Sequence, residues 1–156
     1  MGVLFVVLVW GGVVSLLDVR MRIIPNVLSL PGVIITWSLC VVSPWWKMQG
    51  ISMPAAYCFE LSSVLGGVSW WALVLILGLK QSRSVGSGDA KLAASLGVIT
   101  AGSGGVVGWL AAVGLSGVLS VITALLVARK RGVPQAPSMV GATLLVAMYV
   151  TVGGAL

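Results

Sequence analysis

Histidine is missing from this chain of 156 residues, and acidic residues nearly are: Asp18, Glu60 and Asp89 are the only three. The first absence removes every Ser-His, Cys-His and histidine-ligated metal arrangement at once. Cysteine is almost as scarce. Cys40 and Cys58 form no CxxC, fall in or near apolar runs and read as small core residues, so they point to no redox compartment. Charged residues make up only 8% of the chain, and no hydrophilic block is long enough to form a soluble domain.

What fills the chain instead is apolar: 59% of the residues are hydrophobic and the mean hydropathy is +1.15. Such a composition cannot supply the polar surface that a water-soluble domain of this size needs, so the sequence predicts a membrane protein. The nine Lys and Arg sit in short gaps between apolar runs, not in a patch interleaved with stacking aromatics. They read as topology determinants, and nucleic acid is not expected as a partner.

A spanning helix needs roughly 17 to 25 apolar residues. Cutting the chain at its charges, prolines and glycine clusters leaves about six runs, near 2–18, 27–43, 55–79, 89–102, 105–128 and 138–155. The fold class expected is therefore all-α: one transmembrane domain, 1–156, with about six transmembrane helices. The fourth run is the weakest, and "TAGSGG" (100–105) predicts a tight turn into the fifth. The first run has no basic segment before it, while Arg20 and Arg22 follow it. That order favours an uncleaved first helix with its amino terminus outside.

With six spans, Arg20, Arg22, Lys80, Arg83, Lys91, Arg129, Lys130 and Arg131 share one side and Lys47 alone faces the other. The bias puts the basic loops in the cytoplasm and both termini outside. Trp45 and Trp46, in an outer loop over 43–54, suggest an interfacial belt, while Trp70 and Trp71 suggest packing or lipid contact. Gly108, Gly114, Gly117 and Ser120 allow close helix packing.

An ionisable group at membrane depth costs several kcal/mol unless paired or hydrated, so each acid is a functional candidate. Asp18 ends the first run and Asp89 opens the fourth, which places both at the cytoplasmic boundary. Two carboxylates at matching depth can share a proton and activate a water between them, as in aspartic proteases, with no metal or cofactor. The plainer alternative makes Asp89 a helix N-cap and Asp18 an interfacial residue paired with Arg20 or Arg22. Glu60 lies near the opposite face and is expected to snorkel outward or to bond a neighbouring helix. A Ser87–Lys91 nucleophile pair would need a desolvated lysine, and a loop position disfavours it.

Two motifs decide between these readings. "GSGDAKL" resembles the GxGDxKL signature of the type IV prepilin peptidases through Gly86, Gly88, Asp89, Lys91 and Leu92. "DVRMRIIPN" resembles that family's other motif through Asp18, Arg20, Ile24, Pro25 and Asn26. A third similarity is the loop "RGVPQAPSMVGA", with Pro134 and Pro137 before the last helix, although Gln135 stands where many members have an aromatic. The resemblance implies an intramembrane aspartic endopeptidase that cuts the basic leader from pilin-like precursors at the cytoplasmic face, with Asp18 and Asp89 as its dyad. It also implies site-shaping or substrate-binding roles for Arg20, Pro25, Asn26, Gly86, Gly88, Lys91, Pro134 and Pro137. The partners implied are a prepilin-like peptide with its transmembrane helix, and membrane lipids. Long members carry a cysteine cluster between the first two helices and also methylate the product; the short gap here implies the peptidase-only form. A small transporter or channel using the acids as an ion relay is the competing reading. Residues 1–79 and 89–156 show no repeat to support it, and the acids cluster at one face, not at the midplane.

Overall fold

The computed structural model describes residues 2–21, 24–48, 61–80, 87–127 and 134–153. All regular structure among them is helical: α1 (Gly2–Met21), α2 (Asn26–Met48), α3 (Leu61–Lys80), α4 (Ser87–Val127) and α5 (Ala136–Gly153). Glu60, Cys58, Gly86, Arg22 and the basic cluster at 129–131 lie outside the described residues. Among the described residues, three helices contain stretches long and apolar enough to cross a membrane, Leu61–Gly78, Ser87–Leu126 and Ala136–Gly153, and Asn26–Val42 of α2 is a shorter apolar stretch. Large apolar side chains such as Phe5, Val27, Leu125 and Tyr149 are exposed on the outside of the bundle. Water would penalise that surface and lipid does not.

The sequence expects six runs, and among the described residues five helices are seen because the fourth and fifth form one element of 41 residues. That element is not straight. Gly105 has φ 61° and ψ −154°, a conformation that glycine adopts freely and other residues rarely do. Beyond it the chain turns back, for the Cβ direction of Gly108 points at the Thr100 carbonyl oxygen only 3.0 Å away. Residues eight apart in a continuous helix would be about 12 Å apart along the axis. The turn expected over six residues is thus made by one, with helical arms 87–104 and 106–127 on either side. The outer loop expected from residue 43 also begins later, since α2 runs on to Met48.

The first arm of α4 is the centre of the molecule. Ala90, every residue from Leu92 to Val98, Thr100 and Ala101 are buried. This run is the weakest because it is short and holds Asp89 and Lys91, and a helix enclosed by protein can carry that because it needs no lipid-facing apolar stripe. Its hydroxyls bond the preceding turn, Ser95 Oγ donating to Lys91 O (3.2 Å) and Thr100 Oγ1 to Leu96 O (2.9 Å), so their burial leaves them satisfied. α3 packs on this arm through glycines. The Cβ directions of Gly66 and Gly67 run into the carbonyls of Gly97 (2.8 Å) and Ala94 (2.9 Å), so only glycine permits this approach. Trp109 Nε1 donates to Gly66 O (3.0 Å) and ties the second arm to the same crossing.

Helix α1 lies against α5. Its buried positions are Val7, Gly11, Val14 and Asp18, a spacing of four, three and four that makes one stripe along a helix. Gly11 faces Val140, and Asp18 is the next position on that stripe after Val14. Of the small residues on the second arm, Gly108 is at a close approach and Ser120 Oγ donates to Ser138 Oγ (3.0 Å). Gly114 and Gly117 have nothing within 4 Å of their Cβ directions among the described residues, so the expected packing role does not extend to them.

Candidate active site

The same helical phase that buries α1 against α5 carries Asp18 into the bundle. α1 continues for most of a turn past it to Met21, and the residue is only 6% exposed. Its Oδ2 accepts a hydrogen bond from the backbone N–H of Ala136 at 3.0 Å. Ala136 is the first residue of α5, where backbone donors have no partner within their own helix. The carboxylate thus meets one of these free donors, at the end of the helix where the macrodipole favours an anion. Pro137 has no N–H, and Met139 N already bonds Gln135 O (3.1 Å). The residues flanked by Pro134 and Pro137 therefore direct one N–H onto Asp18. Arg20, by contrast, is exposed on the last turn of α1.

Asp89 reaches the same place from α4. It is the third residue of that helix, half-buried, within its first turn and past the N-cap position. The carboxylates of Asp18 and Asp89 lie within Coulombic range of each other. Two residues far apart in sequence are so brought together by the packing of α1 and α4 around the first turn of α5.

Contacts between the two motif segments hold this geometry. Gly88 is buried against Ile24, whose Cβ lies 2.6 Å and whose carbonyl oxygen lies 3.1 Å from the position a Cβ on Gly88 would take. Any side chain there would push the segments apart. Lys91 Nζ donates to Asn26 Oδ1 at 2.7 Å, joining α4 to the first residue of α2. Pro25 starts that helix: its carbonyl accepts from Leu28 N (3.0 Å) and Ser29 N (3.2 Å). Of the residues singled out in sequence, Asp18, Asp89, Pro25, Asn26, Gly88, Lys91, Pro134 and Pro137 belong to this cluster or to the segments that form it. Arg20 points outward, Ser87 is exposed, and Gly86 lies outside the described residues.

Ala136 also builds the site but has no functional group to flag it, whereas Ile24, against which Gly88 packs, is one of the motif residues. The only signal for Ala136 was its place between two prolines. The sequence pattern of the type IV leader peptidase family matches residues 5–128, a segment that contains both aspartates. Comparison with curated proteins and with solved structures finds none that matches the chain.

Proposed function

The chain belongs to the type IV leader peptidase family, and from that premise we propose that it is an intramembrane aspartic endopeptidase that removes the basic leader of pilin-like precursors. The observation that carries the reading is the approach of Asp18 to Asp89, the only acids among the described residues. A water held between the carboxylates loses a proton to one of them and attacks the scissile carbonyl carbon, while the other gives its proton to the carbonyl oxygen. Collapse of the tetrahedral diol breaks the C–N bond and passes a proton to the leaving amine, and the dyad ends with the single proton it began with. Oriented carboxylates suffice for these steps. Joining α1 and α2, only residues 22–25 intervene, too few for a cysteine cluster, which supports cleavage without methylation.

The Ala136 N–H acts in this scheme by fixing the direction of the Asp18 carboxylate. Ala136→Pro removes the donor at the first helical position, where proline is otherwise well tolerated, and Ala136→Ser retains it. Turnover of a prepilin-like peptide is expected to fall about 10-fold or more in the proline variant with KM little changed, and to stay near wild type in the serine variant. Equal losses in both variants would assign the position to packing alone.

The two arms of α4 make the six-crossing arrangement possible, and the charge bias of the loops favours a dyad at the cytoplasmic face with both termini outside. After Cys40→Ala and Cys58→Ala, a membrane-impermeant thiol reagent on intact cells is expected to label Met48→Cys and Leu156→Cys but not Ser84→Cys or Gly132→Cys. Protection of Leu156→Cys would break the six-span count. The function itself is tested with the purified protein and a peptide containing a basic leader, its cleavage site and a following apolar helix. Product masses should show a single cut after the leader, and an intact peptide would reject the proposal.

A further inference from the structure

A chain of hydrogen bonds ends on the dyad. The peptide unit between Gln135 and Ala136, whose N–H reaches Asp18, is also held by its other end: the Gln135 carbonyl oxygen accepts from Ser138 Oγ at 3.2 Å and from Met139 N at 3.1 Å. Ser138 is only 4% exposed, and its Oγ accepts in turn from Ser120 Oγ on the second arm of α4 at 3.0 Å. Ser120 thus donates to Ser138, Ser138 to the Gln135 oxygen, and the N–H of that same peptide to Asp18 Oδ2 at 3.0 Å.

We infer that Ser138 and Ser120 are positioning residues for the catalytic carboxylate of Asp18, an inference that rests on the peptidase reading above. A peptide unit is planar, and with no cis bond among the described residues its C=O and N–H point in opposite directions. Holding the Gln135 oxygen therefore aims the Ala136 N–H. Met139 N makes the ordinary helical bond to this oxygen, but a carbonyl has two lone pairs, and one bond leaves the plane free to tilt; the Ser138 hydroxyl takes the second. All the donors point toward Asp18, so each bond polarises the next, by about 10–30%. Ser120 is in reach because the chain reverses. Asp89 stands 16 residues before Gly105 and Ser120 stands 15 after it, so both lie about 22–24 Å from the turn and the second arm returns to the depth of the dyad. The helix that carries one aspartate braces the peptide that orients the other.

The test measures cleavage by the full-length protein of a peptide with leader, cleavage site and apolar helix. Ser138→Ala should lower kcat about three- to fivefold with KM unchanged, and Ser120→Ala about twofold, while Ser120→Thr keeps the donor and stays near wild type. Ser116→Ala removes a hydroxyl bonded within the same arm, to Val113 O at 2.8 Å, and should leave kcat as in the wild type. A serine that acts through the Ala136 N–H has nothing to act on once that donor is gone. In an Ala136→Pro background Ser138→Ala should therefore cost nothing further, whereas a loss of packing would add. The carboxylate itself is read by NMR, since Asp18 and Asp89 are the only aspartates in the chain. In Asp89→Asn protein labelled with carbon-13 at the aspartate carboxyl, Asp18 alone reports, and Ser138→Ala should displace its resonance in the same direction as Ala136→Pro and by less. An unmoved resonance in Ser138→Ala, or additive losses in the double variant, would overturn the positioning role. If the wild type leaves the peptide intact while the Asp18 resonance still follows Ser138, the peptidase reading fails and the serine chain stands.

Discussion

Asp18→Asn and Asp89→Asn are each expected to lower cleavage by at least about 10²–10⁴-fold, the range carried by a positioned acid or base. Asparagine keeps the shape of the side chain but can neither accept the proton of water nor give one to the carbonyl oxygen. The fold should survive both changes. In the Asp18→Asn variant the amide oxygen would still accept from Ala136 N–H, and residue 89 is only half-buried in the first turn of α4. The measurement is the initial rate of leader cleavage by purified variants, with chromatographic profile and thermal unfolding in detergent as controls for integrity. Because the two carboxylates act as one unit, the double variant should be no worse than either single one. Ser87→Ala is expected to cleave normally, since Ser87 is exposed and Lys91 is engaged with Asn26. Retained activity in either asparagine variant would sink the dyad, and loss of activity on Ser87→Ala would revive a Ser-Lys mechanism.

The second large effect is on stability. Gly97→Leu should destabilise the protein by more than the roughly 1–3 kcal/mol typical of an overpacked core, because what blocks the new side chain is backbone. The Cβ direction of Gly97 runs into the Gly66 carbonyl, and Gly67 Cα stands 2.9 Å from the same point. Backbone has no alternative rotamer, so α3 must move off α4. Asp89 lies on that same arm of α4, so cleavage should be lost together with the fold. Gly114→Ala and Gly117→Ala are the contrast. Nothing among the described residues lies within 4 Å of either Cβ direction, and alanine in a helix interior is favoured over glycine by about 0.8–1 kcal/mol. Unfolding temperatures of the purified variants should therefore fall sharply for Gly97→Leu and stay level or rise for the other two. A wild-type melting curve for Gly97→Leu would refute the glycine crossing.

Composition determined that this chain is a membrane protein, since 59% hydrophobic residues with 8% charge leave no other solvent for it, and the length of its apolar runs made it all-helical. Scarcity then pointed to the site. With three acids and no histidine, the two aspartates in motif settings were the natural catalytic candidates, because covalent chemistry at membrane depth needs ionisable groups and the chain offers so few. Helix starts near the motifs were also legible, because Pro25 and Pro134 stand just ahead of α2 and α5, where a fixed φ and a missing N–H are tolerated.

Tertiary structure decided what depends on position in space. No local pattern distinguishes Gly97, which meets the backbone of α3, from Gly117, which meets nothing among the described residues, because a glycine's value lies in what faces it. The weak fourth run proved to be the buried centre of the bundle, since hydropathy measures affinity for lipid and a helix wrapped in protein is relieved of that requirement. The single reversal at Gly105 was hidden among several neighbouring glycines, and only the backbone angle shows which of them turns the chain. The contact from Ala136 to Asp18 was out of reach of the sequence for the same reason. Its donor is a main-chain N–H that every residue except proline possesses, and it acquires a function only when α1 and α5 pack so that a carboxylate arrives 3.0 Å away.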